Sequence, residues 1–376
     1  MAYATFSRSP HSVRDRTLSD DKTAIIAHVN SEKQRFPSLG EAIVEFSEDD
    51  LALLHGLQIA PRASWLEAAE ILGVHPATLA RRWDRLSGAG LAWVIAHLKG
   101  DPAEMVLAFV DVECAPGERD AATAALAAIP EVQTIDVAAS HPDLALTVFA
   151  KSLVECSEVV LPRIAEAPGV RGVQTHLCTR MHSGGHSWRL AALDRAQVAA
   201  FAELARVEPF AGRLPLGCYD LLPILARNGR ASAAEISREL GRSPATAQRQ
   251  LSRVLGSGIL SFRCEVAQNR AGYPVACKWL AKVPAGQHAA AAAAIGGLRN
   301  VRLVASTTGQ TNFTIMMWLR TVADVMTAEL ALQERIPGIE LVESIVMLRA
   351  VKRVGVMLRP DGTTTGDVVA GPALID

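Results

Sequence analysis

Two arginine-bearing segments pose the first chemical question. One reads GVHPATLARRWDRLSGAG from Gly73, and the other reads GRSPATAQRQLSRVLGSG from Gly241, 168 residues further on. In the first, Leu79, Trp83 and Leu86 recur at spacings of four and three, so a helix would turn them to its core and present Thr78, Arg81, Arg82 and Arg85 outward. In the second, Ala247, Leu251 and Val254 take the inner face, which leaves Thr246, Gln248, Arg249, Gln250 and Arg253 outside. Guanidinium forks bridge guanine edges or phosphates, glutamine amides pair with adenine, and a helix N-terminus accepts phosphate. This is the chemistry of a helix that reads the DNA major groove. Arg81 matches Arg249 and Arg85 matches Arg253, whereas Arg82 is replaced by Gln250, so two non-identical half-sites are expected.

Other reactive types lead nowhere comparable. Cys178, His182 and His186, with His176 nearby, are metal-ligand types, but Gly184 and Gly185 break any helical register and the spacing is not that of a zinc finger. They read as strand-end and linker residues, and no metal is expected. The sequence holds no nucleophile elbow, phosphate loop or H-E-x-x-H pattern, so neither a catalytic residue nor a cofactor is predicted.

The elements that must position the arginines occur twice. Aligning residues 168 apart from Leu51/Tyr219 to Leu91/Ile259 pairs Ser64 with Ser232, Glu67 with Glu235, Gly73 with Gly241, Pro76 with Pro244 and Gly90 with Gly258. Ser47 can cap a first helix carrying Leu51, Leu54 and Leu57 on one face. Ser64 and Glu67 form a capping box for a second helix, and His75-Pro76 or Ser243-Pro244 open the third after a glycine stop. Each trio is a helix-turn-helix unit. After each comes a strand-like run, from Met105 or Val275, then an alanine-rich helix, two strands, a second helix and a last strand, which is the order βαββαβ.

The predicted fold class is therefore α+β: two repeats, each a winged helix-turn-helix domain followed by a ferredoxin-like sandwich. The predicted divisions are an N-terminal arm at 1–44, the first helix-turn-helix domain at 45–98, the first sandwich at 99–182, a linker with a helix at 183–212, the second helix-turn-helix domain at 213–270, the second sandwich at 271–355 and a disordered tail at 356–376. The 376 residues are ample for several cores. A net charge of −1 gives no global pull on nucleic acid, so DNA binding must come from local basic patches. The six cysteines form no C-x-x-C pair, no apolar run is long enough to span a bilayer, and the first residues lack a secretory apolar core. Together these predict a cytoplasmic protein without membrane contact.

The SPAT-type entry to an arginine-bearing third helix, joined through a short strand to a βαββαβ domain, resembles the leucine-responsive and asparagine-operon regulator (Lrp/AsnC) family, here in tandem two-copy form over about residues 46 to 355. The resemblance implies a sequence-specific transcriptional regulator of double-stranded DNA, with the two copies forming a dimer-like unit inside one chain and assembling further into homo-oligomers. It also implies an amino-acid or other small-metabolite effector at a T-G-x-x-[DN] turn, carried here by Thr308, Gly309, Gln310, Thr311 and Asn312. In the first copy the corresponding stretch holds Ser140, His141 and Asp143, with serine where the pattern has glycine. Proteins similar to this family include sirohaem decarboxylases, which contact a tetrapyrrole through histidine and arginine. The alternative function is therefore such an enzyme, with His141 near its cleft, or a small-molecule-binding module on the same architecture.

Overall fold

The computed structural model describes residues 46–98, 105–185, 187–206, 214–298 and 300–371. The predicted arm at 1–44 lies outside them. The first three helices are α1 (Glu48–Ile59), α2 (Trp65–Leu72) and α3 (Pro76–Gly88). Their starts follow the capping chemistry: the Asp50 amide donates to Ser47 Oγ at 3.2 Å, and the Glu67 amide donates to Ser64 Oγ at 3.2 Å. Gly73 closes α2 at φ +67, a conformation that costs glycine little.

Strand β1 (Ala92–Leu98) leaves this unit, and β2 (Val106–Cys114), α4 (Arg119–Ala127), β3 (Val132–Ala138) and β4 (Leu144–Ala150) follow. A bent helix α5 then runs as Leu153–Glu155, a π-turn Cys156–Val160 and Leu161–Ala165, leading to the long strand β5 (Val170–Ser183). The linker helix α6 (Arg195–Leu204) is capped by Asp194 with Gln197. Its Phe201 is fully buried in the first helix-turn-helix core, where Gly56 leaves room for the ring: a Cβ there would collide with it.

The second half has a 3-10 turn (Leu216–Leu221), α7 (Leu222–Arg227), α8 (Ala233–Leu240), α9 (Pro244–Gly256) and β6 (Leu260–Val266). Then come β7 (Val275–Lys282), α10 (His288–Ile295), β8 (Val301–Thr307), β9 (Phe313–Leu319), α11 (Asp324–Arg335) and β10 (Glu340–Arg353).

Each half keeps the predicted βαββαβ order, and the two predicted sandwiches share one sheet. Strands run in the order β3-β4-β2-β5 and β8-β9-β7-β10, and the two sets join at both ends, β5 to β8 and β10 to β3, into one closed antiparallel barrel of eight strands. The cause is the length of β5 and β10. Residues Val170 to Leu177 of β5 pair with β2, and Cys178 to Ser183 pass over to β8; β10 pairs with β7 as far as Met347 and with β3 from there to Arg353. An open edge strand is a template for unwanted pairing, and closure removes it.

The strand alternation sorts the two faces. Val110, Val112, Ile135, Val137, Leu146 and Val148 pack outward with Leu126, Val160 and Ile164 of the covering helices, and Trp279, Ile315 and Met317 do so with Ile295 and Leu332. Their neighbours Phe109, Asp111, Asp136, Thr147, Lys278, Thr314 and Trp318 therefore face the barrel interior.

The predicted disordered tail at 356–376 is corrected over residues 356–371; the rest lies outside the described residues. Strands β11 (Val356–Leu358) and β12 (Thr364–Val368) extend the sheet from β10, and Val356 and Leu358 bury themselves against Trp93 and Ile95 of β1. The apolar residues of the segment found a surface to cover, while its glycines and threonines make the turn.

Candidate nucleic-acid interface and the interior cavity

The reading helices are α3 and α9. Each opens with proline at its first position, where the missing amide costs nothing, and the Thr246 amide donates to Ser243 Oγ at 3.2 Å. Arg81 and Arg249 are exposed and make no hydrogen bond or ion pair among the described residues. Gln248 is also exposed, donating only to Ser252 Oγ at 3.4 Å, and Thr78 and Thr246 are half-buried near the helix starts.

The other predicted readers are tied into their own units. Arg82 donates to Asp49 at 2.8 Å and lies 3.3 Å from buried Asp50, and Arg85 reaches the same Asp50 at 2.6 Å. Burial opposes ionisation of Asp50, but the Ser47 amide and hydroxyl and the Arg85 guanidinium hold its carboxyl below the usual range. Gln250, at the position matching Arg82, donates to the Gly217 carbonyl at 3.1 Å and accepts from Arg242 at 2.9 Å. Arg253 is half-buried. Arg82 and Gln250 thus clamp the third helix of each unit to the first. Trp83, predicted as core, is half-buried beside Trp65, ring centroids 6.3 Å apart.

Residues absent from the sequence prediction hold the two units together. Arg230 of the second unit donates to the carbonyls of Pro61 at 2.6 Å and Ala63 at 2.8 Å, with its guanidinium 4.0 Å from the centre of the Trp65 ring. Arg62 of the first unit returns the contact, donating to the carbonyls of Gly229 and of Ala231, the latter at 3.0 Å. Burial lowers both guanidinium pKa values to about 10. The exchange is isologous in form, the same residue type at matched positions contacting the matched loop of the other unit. Strands β1 and β6 add an antiparallel ladder from Ala92↔Val266 to Leu98↔Leu260. The only trace of this in the sequence is that Arg62 and Arg230 lie 168 residues apart, each just ahead of an Ala-Ser cap.

The predicted effector turn sits at the junction of the strand sets. Thr308, Gly309 and Gln310 are exposed, with Gly309 at φ +113. Much of the turn's polarity is spent inside the protein: Thr308 Oγ1 accepts from the Leu177 amide at 3.0 Å, the Thr308 carbonyl lies 3.2 Å from His176 Nδ1, and the Asn312 side chain exchanges two bonds with the Val283 backbone. Thr311 is buried with its hydroxyl unpartnered. In the first copy, Asp143 accepts from the Cys114 amide at 2.8 Å, Ser140 is exposed, and exposed His141 contacts Glu113 at 3.2 Å. His141 is not among the residues that line the interior cavity. Among the described residues no group of three or more histidine, cysteine or acidic side chains could hold a metal.

The barrel interior is charged. Lys278 of β7 donates to Asp111 of β2 at 2.5 Å, and His176 Nε2 lies 3.8 Å from the other Asp111 oxygen. Glu265 accepts from Arg302 at 2.6 Å and also bonds Arg263. Burial opposes its charge, but Arg263, Arg302 and Arg353 hold its pKa down at about 2. Asp136 fares differently: burial pushes it up to about 6, with Arg353, Lys278 and Arg302 only moderating the rise. These groups line or flank a cavity of about 1580 Å³ formed by the barrel interior and both helix-turn-helix units.

Comparison with known proteins fits this architecture. Residues 47–87 match the AsnC-type helix-turn-helix domain, residues 107–185 the Lrp/AsnC ligand binding domain, and residues 219–260 a winged helix-turn-helix DNA-binding domain. The chain is 27% identical over 146 residues to an uncharacterised HTH-type transcriptional regulator of Pyrococcus horikoshii, covering 38% of this chain and 92% of that protein. A second such regulator, from Pyrococcus abyssi, is 25% identical over 146 residues with the same coverage. The crystal structure of the siroheme decarboxylase NirDL with an iron-uroporphyrin III analogue matches 82% of this chain and 93% of that one at a TM-score of 0.54 and 14% identity, a likeness of fold. Among the described residues no helix is long and apolar enough to cross a membrane. Residues 47–87 and 107–185 thus carry, in order, the helix-turn-helix and ligand-binding domains of the Lrp/AsnC family.

Proposed function

We propose that this protein is a sequence-specific transcriptional regulator that carries two reading helices in one polypeptide, the product of a tandem duplication acting as an intrachain pseudo-dimer. The observation that carries the reading is the arginine exchange between the units, because it fixes the spacing of two helices whose Arg81 and Arg249 stand exposed and unpartnered. Two helices held at fixed spacing suit successive major grooves of one duplex. Thr78, Thr246 and Gln248 join these arginines at the DNA, while Arg82 and Gln250 position the helices from within. Arg85, half committed to Asp50, and Arg253 border the contact.

A small-metabolite response through the ligand-binding domain belongs to the same reading, with the exposed Thr308–Gln310 stretch accessible to an amino acid. Further assembly has a surface available: Val322, Met326 and Leu330 on the α11 segment are exposed, as are Leu153, Val154 and Val159 on α5.

The test is a salt-titrated binding assay on DNA from upstream of the protein's own and neighbouring genes. Specific binding at least about a thousandfold tighter than to scrambled DNA, and weakening with salt, is expected. Uniformly weak binding with and without candidate amino acids would overturn the reading.

A further inference from the structure

The interior cavity is larger than a regulator of free amino acids needs. Drug-sized ligands occupy pockets of about 300–1,000 Å³, and this one encloses about 1580 Å³. Its walls combine two chemistries. Phe109, Phe149, Met316 and Trp318 make an apolar side, and a free amino acid would leave most of it uncovered.

The polar side is incomplete. Thr314 Oγ1 and Arg263 Nε are buried on the cavity wall without a hydrogen-bond partner. The Asp136 carboxylate accepts no hydrogen bond among the described residues, and Arg180, exposed where it borders the cavity, donates none. Buried polar atoms are rarely left so, and two lining one cavity mark a place for a ligand's polar groups. The charge balance gives the sign: among the lining residues Glu67 is taken up by the Ser64 cap, Asp220 by Arg242, and Lys278, Arg263 and Arg302 by the flanking Asp111 and Glu265, which leaves Arg180 and Arg353 against Asp136.

We propose that this cavity binds an organic anion with an apolar, ring-bearing body, its acid group held by Arg180 and its body seated against Phe109, Phe149 and Trp318. The site lies inside the barrel, apart from the Thr308–Asn312 turn, and does not depend on DNA reading. The cavity wall spans both strand sets and both helix-turn-helix units, since the lining includes Arg62 and Ala63 of one unit and Leu251 and Leu255 of the other.

The test uses the full-length protein without DNA and two fluorescent probes with the same aromatic body, anionic dansylglycine and cationic dansylcadaverine. Dansylglycine should saturate at about one per chain below about 100 µM, and dansylcadaverine should bind at least about tenfold more weakly. Arg180→Glu, at an exposed side chain, should weaken dansylglycine by about tenfold or more while circular dichroism stays unchanged. Ala145→Phe, which fills the cavity, should abolish binding; if that variant misfolds, Arg180→Glu still decides. No saturable binding, equal binding of the two probes, or binding indifferent to Arg180→Glu would each overturn the proposal.

Discussion

Replacing Arg230 by alanine tests whether the two helix-turn-helix units are locked by their exchanged arginines. The side chain makes two charge-assisted hydrogen bonds, at 2.6 and 2.8 Å, and stacks 4.0 Å from the Trp65 ring centre. Such bonds are worth about 1.5–3 kcal/mol each and a desolvated cation–π contact about 2 kcal/mol, a gross gain of roughly 5–8 kcal/mol. Against this stands the cost of desolvating the guanidinium. The fall of its pKa from 12.5 to about 10 corresponds to roughly 3 kcal/mol. The net loss expected for Arg230→Ala is therefore about 3 kcal/mol, including the Ala63 carbonyl left without its donor.

Urea unfolding followed by tryptophan fluorescence would report the loss, because Trp65 and Trp83 both lie beside the guanidinium. Amide exchange along the β1–β6 ladder should accelerate in parallel. Arg230→Lys keeps the charge but not the planar fork and should recover less than half of the loss. Glu203→Ala, at an exposed ion pair with Arg206, is the control and should be nearly silent. A loss below about 0.5 kcal/mol in Arg230→Ala, with exchange along β1 and β6 unchanged, would refute the claim that the exchange holds the units.

The remaining predictions concern the reading helices and the barrel. Arg81→Ala with Arg249→Ala should lower affinity for specific DNA by about a hundredfold or more and flatten its salt dependence while leaving the protein folded; unchanged binding in a gel-shift titration would remove these residues from the interface. Asp111→Lys or Lys278→Asp alone should destabilise by about 3–5 kcal/mol, because each buries like charges, and the double exchange should restore most of the loss in urea midpoints; a double variant no better than the singles would argue against the pairing. Asp136 carries a pKa raised to about 6, so the folded state binds more protons than the unfolded between the ordinary 3.8 and about 6, and this group's contribution to stability falls as pH rises through that window. Asp136→Asn should accordingly be more stable than the parent at pH 8 by about 1–3 kcal/mol, with the gap closing towards pH 4; a pH-independent difference would show that the group does not titrate as placed. Gly309→Val forces a Cβ to 2.9 Å from His176 Nδ1 at φ +113 and should cost about 2 kcal/mol of stability in thermal or urea unfolding; full tolerance would mean that the turn is not packed against β5.

Local chemistry was legible in the sequence, and long-range register was not. Ser47, Ser64 and Ser232 set helix starts through bonds spanning three residues, and Gly73 and Gly241 stop helices through their own backbone freedom, so reading a few residues at a time sufficed. The exposure of Arg81 and Arg85 on α3 also follows from its period. What periodicity could not show was that Asp49 and Asp50, one helix away, take up Arg82 and part of Arg85. The exchange of Arg62 and Arg230 depends on two loops meeting, which neither loop encodes alone. Barrel closure rests on where β5 and β10 change partners, at Cys178 and Met347, and a strand's alternation is the same whichever neighbour it pairs with. In the tail, Gly362, Gly366 and three threonines concealed the two apolar residues, Val356 and Leu358, that anchor it.

Closure also bears on synthesis at the ribosome. Strand β3 pairs with β10, and Lys352 Nζ caps the end of α4 through the carbonyls of Ala127 and Ile129, 225 and 223 residues earlier in the chain. At about 5–20 residues per second, β3 leaves the ribosome roughly 10 to 45 s before its final partner exists. During that interval the nascent first strand set carries unpaired edges at both β3 and β5, each open to the same set on a neighbouring nascent chain. Because the second set closes both seams, translation order favours pairing in cis: the partner for each exposed edge arrives tethered to the chain that needs it, at an effective concentration no polysome neighbour matches.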